Sequence, residues 1–186
     1  TKPLGYYGDG GALFPRDAAL ARSLRMLRGH GAEKRGEHVA VGVNGRLDTL
    51  QAAVLLAKLP QLDEDLERRR LLAARYTQGL PESLTAPITL PGNEHVFGQY
   101  TVRVAGERDA IAARLRQAGI ESAVYYPTPL HLQPVFRALA APRQPQAERA
   151  ARSVLSLPLY PSLADEDVDA TLRALAELAV APDSAG

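Results

Sequence analysis

The chain has no cysteine. It can therefore build neither a disulfide framework nor a thiolate metal site. Its four histidines, His30, His38, His95 and His131, lack the H-E-x-x-H spacing of a helical metal site, so no metal is expected. Charge of one sign is lacking too. The 22 basic and 21 acidic residues leave a net charge of +1, too weak a field to gather nucleic acid or an anionic membrane. No apolar run reaches the length of a membrane span, and no signal peptide is visible. The expectation is a soluble, cytoplasmic protein with no nucleic-acid or membrane partner. What is present is 186 residues, 46% of them hydrophobic, enough for one domain with a core or for two small lobes.

The N-terminal residues 1–9 read as a loop. Gly5, Gly8, Gly10 and Gly11 permit turns and positive φ there and just beyond. Residues 12–14 read as a strand end. Asp17 can cap a helix in which Leu20, Leu24 and Leu27 recur at helical spacing, and Gly29 and Gly31 stop it. A polar loop at 33–38 leads to a second helix opened by Asp48 and dense in Ala and Leu. Pro60 either starts a following helix or kinks a continuous one. Leu62, Leu66, Arg69, Ala73, Tyr76 and Leu80 then form one amphipathic stripe. Prolines and glycine at 81, 87, 91 and 92 mark a linker over 81–93. Beyond it Tyr100, Val102 and Val104 alternate with Thr101 and Arg103, a strand signature. Residues 107–118 predict a helix, 120–126 and 153–157 two more strands, and Val168, Leu172, Leu175 and Ala179 one face of a last helix. The first piece, to about residue 80, reads as helical, with no sheet of its own. The second reads as a small α+β lobe.

Three segments stand out for chemistry. Lys-Pro-Leu-Gly-Tyr-Tyr-Gly-Asp-Gly-Gly-Ala at 2–12 places Lys2 before a glycine-rich turn. By position alone Lys2 is a solvated terminal charge. Gly-Asp-Gly-Gly at 8–11 lacks the spacing and the Lys-Ser/Thr pair of a phosphate loop. Gly-Val-Asn-Gly-Arg-Leu-Asp at 42–48 and Val-Tyr-Tyr-Pro-Thr-Pro-Leu-His-Leu-Gln-Pro at 124–134 would, taken singly, be a polar loop before a capped helix and a strand end followed by packing and turn residues.

Taken in order, and with Ser-Leu-Pro-Leu-Tyr-Pro at 156–161, these segments resemble the DegT/DnrJ/EryC1/StrS family of sugar aminotransferases that use pyridoxal 5′-phosphate (PLP). The resemblance runs from Thr1 to about Val180. It implies an α/β fold, the C-terminal part of a fold-type-I PLP aminotransferase. Residues 1–80 would be the helical remainder of the large PLP-binding domain, 81–93 a linker, and 94–180 a small α+β domain with a three-stranded antiparallel sheet. Residues 181–186 would be a disordered tail. Thr1 is not an initiator methionine and the first motif begins at once, which suggests a fragment. The large-domain segment expected upstream would be required for cofactor binding and catalysis.

The resemblance also implies roles. Lys2 would form the Schiff base with PLP and shuttle the proton, acting as base and acid in turn. Asn44 would reach the PLP phosphate of a neighbouring subunit, which implies a homodimer with shared active sites. Arg46 would offer its donor fork to a phosphate or sugar nucleotide, or to a structural ion pair. Tyr125, Tyr126 and His131 would meet the sugar. Relatives often carry His-Tyr-Pro where this chain has Tyr125, Tyr126 and Pro127, a departure that bears on sugar recognition. The implied reaction transfers an amino group from an amino acid, glutamate by family habit, to a nucleotide-linked keto-sugar. The alternatives are a sugar dehydratase of the same family, which typically has histidine in place of the lysine, and a catalytically silent dimerisation or binding fragment.

Overall fold

The computed structural model describes residues 2–5, 7–139 and 142–180, the last two by backbone alone. The expected tail at 181–186, Thr1 and the side chain of Ala179 lie outside the described residues. The chain divides into two compact units, Lys2–Leu62 and Asp63 onward.

In the first unit, α1 (Ala18–Arg28) begins where Asp17 Oδ1 accepts from the Ala19 amide at 2.8 Å. It ends where Gly29 N–H donates to Met26 O at 3.0 Å, with Arg25 and Arg28 on the last turn complementing the helix dipole. Residues 33–38, read as a loop, instead contribute to a hairpin of β1 (Ala32–Lys34) and β2 (Glu37–His38), antiparallel, with Gly36 at φ +83° in its turn. None of its side chains is buried, so no apolar alternation marks it. Residues 12–14 form no strand; no other strand among the described residues pairs with them, and Phe14 is 91% exposed. Asp48 precedes α2 (Thr49–Lys58), but caps it only through its backbone, its carbonyl accepting from Ala52 N–H. No side chain of α1 or α2 is buried. Pro60 lies in a short 3-10 turn before α3 (Leu62–Gly79).

The second unit holds the core. Its sheet has the order β3–β4–β5, all antiparallel: β3 (Leu84–Thr85), β4 (Tyr100–Val104) and β5 (Val154–Leu157). Three strands were expected, but not these three. Of residues 120–126 only Ala123 pairs, exchanging both backbone bonds with Ser156. Pro127, without an N–H, cannot extend the ladder. The missing strand is β3, inside the expected linker. Leu72, Ala73 and Tyr76 of α3 are buried with Tyr100, Val102, Leu155 and Leu157 of the sheet. Helix α3 thus packs within the second unit, whereas the sequence grouped it with residues before the linker. Helices α4 (Arg108–Gln117), α5 (Pro145–Ser153) and α6 (Asp165–Val180) complete the unit. Leu115, Ala151, Val168 and Leu175 are buried.

The Tyr76 ring stacks on Tyr100 at 5.1 Å between centroids. Among the described residues its buried hydroxyl meets no partner in hydrogen-bond geometry; Thr171, beside it, donates to Asp167 O at 2.8 Å. Burial pushes the Tyr76 phenol up to about 12. Because an unpaired buried hydroxyl costs rather than stabilises, Tyr76→Phe is expected to leave stability unchanged or to raise it by about 1 kcal/mol or less. The urea midpoint measures it; a loss beyond 1 kcal/mol would mean that the hydroxyl is paired after all.

Candidate functional site

Lys2 lies exposed at the head of a turn. Gly5 holds that turn at φ +49°, where a Cβ would stand 3.1 Å from the Lys2 carbonyl oxygen and 3.3 Å from Lys58 Nζ. Only glycine lets the chain fold back so closely. Two residues on, the Tyr7 amide donates to Gln51 Oε1 at 3.1 Å. At Gly8 a Cβ would meet Gln51 Nε2 at 3.0 Å. One side chain of α2 therefore clamps the lysine-bearing segment. Gln51 and Lys58 carry no sequence signal of their own beyond helix periodicity.

Asn44 and Arg46 are placed by backbone. His30 N–H donates to Val43 O at 3.0 Å, Val43 N–H to Leu27 O at 2.8 Å, and Gly45 N–H to Arg28 O at 2.9 Å. This seats residues 43–45 on the end of α1. The approach is backbone to backbone at Gly31 (φ +73°) and Gly42, where a Cβ would collide with the Ala40 carbonyl or with Gly31 N. The Lys2, Asn44 and Arg46 side chains are exposed and make no hydrogen bond or ion pair among the described residues. An amine, a neutral amide and a guanidinium thus sit unengaged in one unit.

Tyr125 and Tyr126 belong to the second unit and are 53% and 78% exposed. Tyr125 lines a cavity of about 670 Å³ together with Gly98, Glu121, Ser122, Tyr160 and Thr171, within the size range of small-molecule sites. His131 is turned inward. Its side chain is 12% exposed, and Nε2 donates to Glu148 Oε1 at 3.3 Å. The same carboxylate, 6% exposed on α5, accepts from Arg143 Nη2 at 3.0 Å and from the Gln144 amide at 3.1 Å. The Arg143 guanidinium and His131 hold the Glu148 carboxyl at about 2, below its ordinary 4.5. A depressed carboxyl contributes its anchoring above the ordinary value and loses it as the pH falls towards 2. The sequence reading singled out His131, as a sugar contact, but not Glu148, whose partner lies 17 residues away.

The sequence matches the DegT/DnrJ/EryC1/StrS aminotransferase family over residues 1–176, and the chain belongs to that family. It is 45% identical over 183 residues to the "Pleiotropic regulatory protein" of Geobacillus stearothermophilus, covering 95% of this chain and 49% of that protein. To the UDP-2-acetamido-2-deoxy-3-oxo-D-glucuronate aminotransferase of Pseudomonas aeruginosa it is 44% identical over 164 residues, covering 88% and 45%. Among solved structures it resembles S. venezuelae DesV in complex with a ketimine intermediate, with TM-score 0.93 and 40% identity over 98% of this chain and 50% of that one. The chain spans about half the length of the curated relatives it matches. The likeness bears out the α/β fold, with a three-stranded antiparallel sheet, of part of a PLP aminotransferase.

Proposed function

We propose that this chain is the lysine-bearing, C-terminal half of a PLP-dependent aminotransferase that passes an amino group from an amino acid, with glutamate as donor, to a nucleotide-linked keto-sugar. The observation that carries this reading is the unengaged Lys2 amine on a segment clamped to α2 by Gln51. The donor set fits the cofactor: a primary amine for an aldehyde, and an amide and a guanidinium for a phosphate. When bound, PLP supplies the electron sink for breaking the bond to the amino carbon's hydrogen. Lys2 Nζ would hold the cofactor and carry the proton away from and back to the substrate carbon. Asn44 would donate its amide to the phosphate held by a second copy of the chain, making the enzyme a homodimer. Arg46 would bind the phosphate or the sugar nucleotide. Tyr125, at the rim of the cavity, and Tyr126 would face the sugar. In this reading the first unit belongs to the large cofactor-binding domain and the lobe around β3–β5 is the small domain.

Two measurements bear on it. Trapping the cofactor on Lys2 by borohydride reduction tests the reading as a whole. Asn44→Asp, which turns a donor into an anion facing phosphate, is expected to weaken PLP binding on the order of tenfold or more. Absorbance titration of the full-length dimer reads it, and unchanged affinity would remove Asn44 from the site. A second reading, a dimerisation or binding module, draws on the exposed apolar side chains of the first unit, among them Val41 at 97% and Leu50 at 83%.

A further inference from the structure

The segment from Tyr125 to Leu139 is poorly rooted by its own packing. Leu130, Val135 and Leu139 are 71%, 77% and 71% exposed. Its hydrogen bonds are mostly internal: Leu132 N–H to Pro129 O at 2.9 Å, Gln133 N–H to Leu130 O at 3.1 Å, Phe136 N–H to Gln133 O at 3.0 Å, and Gln133 Nε2 to Thr128 O at 3.2 Å. Among the described residues, the side-chain hydrogen bond that ties it to the rest of the unit is His131 Nε2 to Glu148. Glu148 stands on firm ground. It lies on α5, whose buried Ala151 faces the core and whose end is held by Arg108 Nη1, donating to Ala151 O and Val154 O at 3.2 and 3.1 Å. A buried carboxylate with three donors is strongly directional, because leaving any one of them out uncovers charge.

We propose that Glu148 is a positioning residue: by holding His131 it fixes the segment that presents Tyr125 and Tyr126, and so governs the keto-sugar half of the reaction and not the amino-donor half. This rests on the aminotransferase reading for its kinetic part only. Neither Glu148 nor His131 needs to touch the reacting atoms. His131 acts through the bond it makes inward, and a change at Glu148 reaches the sugar through the loop.

The experiment takes the full-length enzyme as wild type, Glu148→Gln, and His131→Phe, which keeps the ring volume but loses the donor. Hydrogen exchange is followed at the bonded amides of Leu132, Gln133 and Phe136, with the β4–β5 amides as the internal control. The two half-reactions are then measured separately by cofactor absorbance, with glutamate for the first and UDP-2-acetamido-2-deoxy-3-oxo-D-glucuronate for the second. Expected in both variants are exchange about tenfold faster at the three loop amides, unchanged exchange in the sheet, a glutamate half-reaction within about twofold of wild type, and KM for the sugar raised about tenfold. Unchanged loop exchange overturns the proposal whatever the activity. Equal slowing of both half-reactions overturns it as well, since that is general destabilisation. A wild-type enzyme that transfers nothing from glutamate and forms no cofactor adduct sinks the aminotransferase reading instead, and loop exchange alone then decides the anchor. If Glu148→Gln fails to fold, His131→Phe decides alone, because it leaves Glu148 its Arg143 and Gln144 partners.

Discussion

Lys2→Ala is expected to abolish covalent capture of PLP. With the full-length polypeptide, borohydride reduction and digestion should leave a pyridoxyl mass on the peptide that carries Lys2 in the wild type and none in the variant, with turnover down about 10³-fold or more. The structure supplies a rival that makes the test sharp: Lys58 Nζ stands against the same turn, near Gly5. Lys58→Ala should keep the adduct. An adduct on Lys58, or none anywhere in a protein shown to be folded, would end the proposed role of Lys2. The mass measurement does not depend on knowing the sugar, so it separates cofactor chemistry from substrate choice.

The largest stability effect is expected at Leu155→Ala. Leu155 is 1% exposed in β5, opposite Val102 on the central strand. Truncating a leucine there removes its transfer free energy and leaves a cavity, about 2–5 kcal/mol together, against about 5–15 kcal/mol for a typical domain. Urea unfolding of the second unit's signal should show a lower midpoint at unchanged slope. Ser156, the next residue, holds Ala123 through two backbone bonds, so the Ala123 amide should exchange faster in the variant. A loss below 1 kcal/mol would mean that the core is not centred on this strand.

The parts of the fold that were legible are those where one local rule sufficed. Asp17 and the Leu20, Leu24, Leu27 spacing give α1; Ile111, Leu115 and Gly119 at φ +75° give α4 and its end; alternation at 100–104 gives β4. Elements that depend on a distant partner were not legible. β3 is two residues long, too short for any periodicity. The β1–β2 hairpin faces solvent, so burial writes no pattern into it. Residues 120–126 carry a strand-like composition, yet strand state belongs to a pair, and of them only Ala123 finds one, at Ser156. At the candidate site, Lys2, Asn44, Arg46, Tyr125, Tyr126 and His131 were singled out because three motifs occur in order. Gln51, which bonds the Tyr7 amide, and Glu148, which bonds His131, look in sequence like ordinary members of amphipathic helices. Their importance arises only from what folds against them.

The seat beneath Asn44 is made of main chain, and the side chain at 44 takes no part in it. Position 44 is therefore a socket whose contents can be exchanged without moving the socket. In a chain with no native cysteine, Asn44→Cys would create a unique attachment point. A spin label or fluorophore there would report directly on whatever approaches that position, with no competing thiol in this chain to mask first.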